Sequence, residues 1–279
     1  MNNTIFTQML SRYPIATKDD LSNATREVMQ QITLAGLYRG GFFDRAAFYG
    51  GTCLHIFHGL QRFSEDMDFS LSQADENFAL ENYFDAIIAE FRSLGREIVI
   101  TRKEKKTQTN VESAFLKENT EIYDLAFSTE KHIKIKIEVD TQPPVGFSTE
   151  HKLLLLPFSF MVRCYTLPDL YAGKMHALLF RNWKTRVKGR DWYDFEWYVR
   201  NNITLNFNHL QKRTIQINSL SEQDFTPQVF KEMLKERIEK TNIEVVKNDV
   251  RPFLKNPSEM EIWSTDYFLQ LVDMIKYYE

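Results

Sequence analysis

The spacing of apolar and polar residues divides the chain into a helical start, a strand-rich middle and a helical end. Between Asp20 and Tyr38 the apolar positions Leu21, Ala24, Val28, Ile32 and Ala35 recur every three or four residues, and Gly40-Gly41 follow, so the spacing predicts an amphipathic helix. The apolar run Ala46 to Tyr49 then meets Gly50-Gly51-Thr52. This reads as strand, turn and helix start, with Thr52 capping a helix that carries Leu54, Ile56 and Phe57 and stops at Gly59. From Ser64 to Leu71 the pattern alternates strictly: Met67, Phe69 and Leu71 fall on one side of a strand, Asp66 and Asp68 on the other.

A helix is expected over about Glu76 to Leu94, followed by strands of which His132 to Asp140 is the clearest. Its polar face carries Lys134, Lys136, Glu138 and Asp140, and Pro143-Pro144 end it. After Tyr165 the period becomes 3.6, with Thr166 as a cap and Pro168 in the first turn. The helix predicted from Leu167 to Trp183 has Leu170, Met175, Leu178 and Leu179 as apolar markers, and places Lys174 and Arg181 two turns apart on nearly one line. A basic connector, Lys184 to Arg190, leads into a further helix in which Trp192, Phe195 and Val199 face inward and Asp191 and Asp194 face elsewhere. Beyond Asn201 the pattern is mostly helical, with one helix starting at Thr226-Pro227 and another expected over Trp263 to Tyr278. The fold class expected is α/β, a small mixed sheet flanked by helices over residues 1–200, completed by a helical C-terminal region over residues 201–279.

Composition narrows the function. The 279 residues, 43% hydrophobic and 26% charged, exclude a disordered or low-complexity chain, and Phe 22, Tyr 12 and Trp 4 supply material for a large core. With 35 Lys+Arg against 38 Asp+Glu the net charge is −3, which excludes coating nucleic acid through a global positive field and leaves only a local patch. Two cysteines and a beginning without a signal-peptide pattern point to a reducing cytoplasm. The longest apolar run, Leu153 to Phe158, contains Pro157 and is too short to span a bilayer, so no membrane partner is expected.

The stretch from Gly50 to Ser70 carries the chemistry. Gly50 and Gly51 offer bare backbone amides to nucleotide phosphates, Thr52 adds a hydroxyl at a helix start, and Asp66 and Asp68 share a strand face on which a divalent cation relieves their repulsion. Alone, a Gly-Gly-Thr turn is a helix cap and an Asp-x-Asp pair is a solvated strand face; their order and separation give the combination its weight. His55 and His58 lack a third ligand at metal spacing, and Cys53 lacks a base, so all three read as packing residues. Between Arg181 and Arg190 lie five basic and no acidic residues, a place for an RNA acceptor or else a solubilising loop.

Gly50-Gly51-Thr52 with the octet Arg62 to Phe69, then Ile135-Lys-Ile-Glu138, then Lys174 to Arg181, then Arg190 to Asp194 resemble, in order, the four motifs of the AbiEii/AbiGii-type nucleotidyltransferase toxins, members of the DNA polymerase β-like nucleotidyltransferase superfamily. The resemblance runs from about Leu21 to Val199. It implies that Gly50, Gly51 and Thr52, with Arg62, Ser64 and Arg181, contact the nucleotide, that Asp66 and Asp68 bind Mg2+, and that Glu138, or Asp140 on the same strand face, is the third carboxylate. It further implies that Lys174 neutralises phosphate charge and that Asp191 is an essential acid orienting Lys174 or the acceptor. The expected activity is transfer of NMP from an NTP to an acceptor such as a tRNA 3′ end, by a toxin with a cognate antitoxin. The rivals are a non-catalytic nucleotide- or antitoxin-binding module and a metal phosphohydrolase using the Asp-x-Asp pair. The first keeps no reason for all five charged positions, and in the second the aspartates would directly follow a buried apolar strand, where this chain has Gln61 to Ser64.

Overall fold

A mixed sheet carries the polar strand faces that the alternation predicts. The computed structural model describes residues 4–102, 120–128, 133–143, 146–181, 187–218 and 220–278. Two helices, α1 (Ile5–Leu10) and α2 (Lys18–Arg39), lead into strand β1 (Ala46–Tyr49), helix α3 (Gly50–His58) and strand β2 (Asp66–Leu71). Helix α4 (Phe84–Ser93) precedes β3 (Ile98–Arg102), β4 (Thr120–Phe127), β5 (Lys134–Asp140), β6 (Thr149–Leu154) and β7 (Phe160–Tyr165). These seven strands form one sheet in the order β3-β4-β5-β2-β1-β7-β6. The centre is mixed: β2 is antiparallel to β1 and parallel to β5, while β1 is parallel to β7.

One sheet face is apolar. Met67, Phe69 and Leu71 of β2 and Ile135, Ile137 and Val139 of β5 are buried there, and α2 packs against β5, β7 and α4 with Val28, Met29, Ile32 and Ala35 buried. A capping box starts α2 two residues before the predicted position: Thr17 Oγ1 accepts from the Asp20 amide, and the Asp20 carboxylate accepts from the Thr17 amide.

Past β7 the chain turns helical. Helix α5 (Leu167–Phe180) packs on α3, on α6 (Gly189–Arg200) and on α7 (Phe207–Asn218). Then come α8 (Pro227–Glu239), α9 (Ile243–Val250) and α10 (Thr265–Asp273), with α9 and α10 packed on α6 and α8 on α5 and α10.

Several expectations need correction. Helix α3 begins at Gly50 with Tyr49 as its cap, because the Thr52 hydroxyl is buried against β2 instead of facing the helix end. The helix expected from Glu76 starts only at Phe84 after a short 3-10 turn, since Asp75 is drawn into a turn by the Asn77 amide and Arg45. The terminal helix ends at Asp273, and β9 (Lys276–Tyr278) pairs in parallel with β8 (Thr204–Asn206), giving a two-stranded sheet where helix was predicted. The predicted strand His132 to Asp140 is β5 from Lys134 onward, with His132 outside the described residues.

Aromatic rings hold the apolar layer together. Phe42 is fully buried and meets Phe69 and Tyr83 edge-on, with ring centroids 5.1 Å away in each case. Phe42→Ala should therefore lower unfolding free energy by about 3–5 kcal/mol. Urea unfolding followed by tryptophan fluorescence checks this, and a loss below about 1 kcal/mol would contradict the packing described.

Candidate active site

Strand pairing builds a row of charges. The parallel register of β2 and β5 sets Asp66 beside Lys136, Asp68 beside Glu138 and Ser70 beside Asp140. Because side chains alternate, all six lie on the face opposite the apolar layer. Glu138 is thus the direct neighbour of Asp68, whereas Asp140 sits one pair farther along and accepts from the Gln142 amide. Lys136 Nζ donates to the Glu138 carboxylate. Burial and the adjacent Asp66 charge push the Asp68 carboxyl up to about 6, against the pull of Lys174, Lys136 and Lys188.

The glycine pair lets helix α3 start on top of this row. Gly50 has φ +81°, and a Cβ there would lie 2.3 Å from Asp68 Oδ2; a Cβ on Gly51 would lie 2.5 Å from Arg62 Nη2. Only residues without side chains allow so close an approach, and Gly50 also occupies a backbone region that L-residues avoid. Thr52 Oγ1 donates to the Asp66 carbonyl, so the hydroxyl pins β2 to α3. Ser64 is buried and its carbonyl accepts from Gln30 Nε2 at 3.0 Å.

Beside the row runs a buried chain of ion pairs. Arg62 is 2% exposed, and its Nε and Nη2 each lie 2.6 Å from an oxygen of Asp194. Lys174 Nζ lies 2.8 Å from Asp194 Oδ2 and 2.7 Å from Asp191 Oδ1, and Arg181 Nη1 lies 2.7 Å from Asp191 Oδ2. Burial alone would raise both carboxyls; Lys174 and Arg181 overcome it and hold Asp191 down at about 2, and Arg62 and Lys174 hold Asp194 below the usual carboxylate range. Three cations against two carboxylates leave one positive charge in excess next to the acidic strand.

The structure brings together Gly50, Gly51, Thr52, Asp66, Asp68, Glu138, Lys174, Asp191 and Arg181, but it reassigns two expected features. Arg62 was expected among the nucleotide contacts, yet its guanidinium is closed off by Asp194. Asp191 and Asp194 were expected to face away from the interior; both are buried, because α6 is enclosed by α5, α9 and α10 and turns its acidic face onto Lys174. The pattern did not single out Asp194, although its three-residue spacing from Asp191 puts both on one helix face.

Lys188 is the second omission. Burial and neighbouring Arg181 lower its ammonium to about 8, while Asp191 and Asp66 oppose that shift, so it stands at the edge of the charge row and not in an open strip. Of the predicted basic connector, Lys184 and Arg186 lie outside the described residues, and Arg190 stacks over Phe253 at 4.3 Å. Burial also supports the reading of the packing residues: Cys53 is buried and free, and His55 Nε2 lies 2.8 Å from Glu27 Oε2.

Residues 32–276 match the family model described as nucleotidyl transferase AbiEii toxin, type IV TA system. The chain belongs to this family. Its nucleotidyltransferase activity, and the NTP substrate and antitoxin partner that a toxin-antitoxin system entails, follow from that membership. Among solved structures, JHP933 from Helicobacter pylori is similar at TM-score 0.52 and 16% identity, over 93% of this chain and 91% of that one. This likeness shows the fold. A second Helicobacter pylori protein, provisionally described as a nucleotidyltransferase, aligns at TM-score 0.48 and 16% identity over 93% and 94% of the two chains. No curated protein sequence matches the chain. Among the described residues no helix is long and apolar enough to cross a membrane.

The raised Asp68 carboxyl fixes a sign. A carboxyl whose folded value lies above its unfolded value near 3.9 favours folding at low pH and loses that contribution as pH rises through about 6. In EDTA, Asp68→Asn should melt at higher temperature than the parent between pH 6 and 8, with the gap closing below about pH 4. Thermal unfolding across pH measures this, and an Asp68→Asn protein less stable at pH 7.5 would contradict it.

Proposed function

We propose that this chain transfers NMP from an NTP to the 3′ end of a tRNA, using the charge row on β2 and β5. The observation that carries the reading is the placement of the Asp66/Asp68 pair directly under the start of α3, with Lys174 held alongside. Phosphates bind the α3 amides at Gly50 to Thr52, where the helix N-terminus favours negative charge. Lys174, pointed by Asp191 and Asp194, neutralises the leaving phosphates, and Arg181 and Lys188 add to that field.

Among the described residues no three His, Cys, Asp or Glu side chains already converge into a metal site. The donor chemistry nonetheless fits a hard divalent cation: two aspartates share one strand face, where burial and then the neighbouring charge raise one carboxyl, and only oxygen ligands are offered. Asp66 and Asp68 would hold Mg2+, with Glu138, paired to Lys136 in this structure, as the third group. Such an ion supplies charge neutralisation at the α-phosphate. The acceptor hydroxyl forms a bond to the α-phosphorus as the bond to the pyrophosphate oxygen breaks, and its proton passes to the carboxylate row. Arg62 takes no part in contact; it positions Asp194 and through it Lys174.

Incubation with each α-32P-labelled NTP, Mg2+ and total RNA tests this. Label should appear in tRNA, vanish with Asp66→Asn or Asp68→Asn, and fall by about a hundredfold or more with Lys174→Ala. Full activity in Asp68→Asn would overturn the assignment, and label in protein or a small molecule would move the acceptor away from RNA.

A further inference from the structure

The polar face of the sheet does not end at the carboxylates. Strand β2 runs away from the α3 start, and beyond Asp68 come Ser70, whose hydroxyl meets that of Tyr165, and then Ser72. Ser72 lines a cavity of about 430 Å³ together with Gln73, Phe147, Thr149 and Arg163. That volume lies within the range of small-molecule sites. Three rings floor the approach to it: Phe147 stacks on Tyr165 at 4.2 Å with planes 13° apart, and Tyr165 stacks on Tyr49 at 5.2 Å. The stack joins the cavity to the residue preceding Gly50.

Two buried polar atoms here make no hydrogen bond. Ser72 Oγ is buried with no hydrogen bond, and so is Nε of Arg213, which projects from α7 close enough to Tyr49, Tyr165 and Asp140 to act electrostatically on all three. Unsatisfied buried groups are costly and mark places where something else completes them. Cations frame the cavity as well: Arg163 is held by Thr149 Oγ1 at 3.0 Å, and the Lys212 stem lies over Gly146, 3.0 Å from where a Cβ would be.

Direction decides what such a place receives. In phosphoryl transfer the attacking and leaving oxygens lie roughly in line across phosphorus. The pyrophosphate side is the α3 start, at the Asp68 end of β2, so the attacking hydroxyl must arrive from the far end of the carboxylate row. We infer that the Phe147–Tyr165–Tyr49 stack and the cavity lined by Ser72 and Arg163 form the acceptor subsite, where the terminal nucleotide of a single-stranded RNA end stacks on Phe147 and its phosphate meets Arg163 and Arg213. This rests on the nucleotidyl-transfer reading above and adds the place where the acceptor is held.

The test separates acceptor from NTP by direct binding. A fluorescein-labelled RNA hexamer ending in CCA is titrated into the full chain and its Phe147→Ala and Phe147→Trp variants, each first shown to melt like the parent; NTP affinity is measured in parallel. Phe147→Ala should weaken hexamer binding by about tenfold or more, the size expected for one base–aromatic stack, with Phe147→Trp restoring it and NTP affinity unchanged. Weaker NTP binding with unchanged hexamer binding would overturn the inference by giving the stack to the incoming nucleotide, as would no change in either. A parent chain that transfers label yet does not bind the hexamer overturns the subsite while leaving nucleotidyl transfer standing; a chain that labels nothing fails at the earlier reading.

Discussion

The buried pair between Arg62 and Asp194 joins two parts of the chain 132 residues apart, and the arrangement of the site depends on it. Neither group can be tolerated alone at such burial, because the desolvation cost of a lone buried charge is several kcal/mol. Arg62 precedes the acidic strand by a few residues, and Asp194 sits in the middle of α6. Pairing them therefore sets how α6 lies against β2. Lys174 is caught between the two aspartates of α6, so its ammonium is positioned by the same constraint, and Arg181 closes the far end of the chain of charges. A buried ion chain of this kind contributes little net stability compared with an apolar replacement, but it specifies geometry.

Around that fixed point the sheet does two jobs with one alternation. Odd-numbered residues of β2 and β5, such as Met67, Phe69, Ile135 and Ile137, face the α2 and α4 layer and form the apolar core. Even-numbered residues carry Asp66, Asp68, Lys136 and Glu138 on the other face. Slipping either strand by one residue would bury carboxylates and expose the core, so packing holds the charge row in register. The same face continues across β1 and β7 into an aromatic floor, which gives the site a second end.

Much of this was legible in the sequence, since alternation in Ser64 to Leu71 and in the β5 stretch reports strand faces directly, and a glycine pair before an apolar run reports a strand-to-helix turn. The family motifs were legible for the same reason, each lying within one element or two consecutive ones. What stayed hidden were relations between elements. The pairing of β2 with β5, about seventy residues later, cannot be read from either strand, so the choice of Glu138 or Asp140 as the neighbour of Asp68 came only with the register. Asp194 was read as facing away from the interior because its partners, Arg62 and Lys174, come from other segments. The strand β9 was hidden by the helical period of α10 just before it; its partner β8 lies seventy residues earlier and overrides local preference. Lys188 appeared as one member of a basic run, and only the fold turns it toward Asp66 and Asp191.

The central claim is that Arg62 and Asp194 act as one coupled unit on which the helices and the acidic strand are aligned. A double-mutant cycle of Arg62→Met, Asp194→Leu and the combined variant, followed by urea unfolding, tests it most directly. Each single change should cost about 3–5 kcal/mol by taking from a buried charge its two-bonded partner, and the combined variant should recover enough to give a coupling of about 2 kcal/mol or more. Additivity within about 0.5 kcal/mol would show that the two residues do not depend on each other, and the alignment described here would lose its anchor.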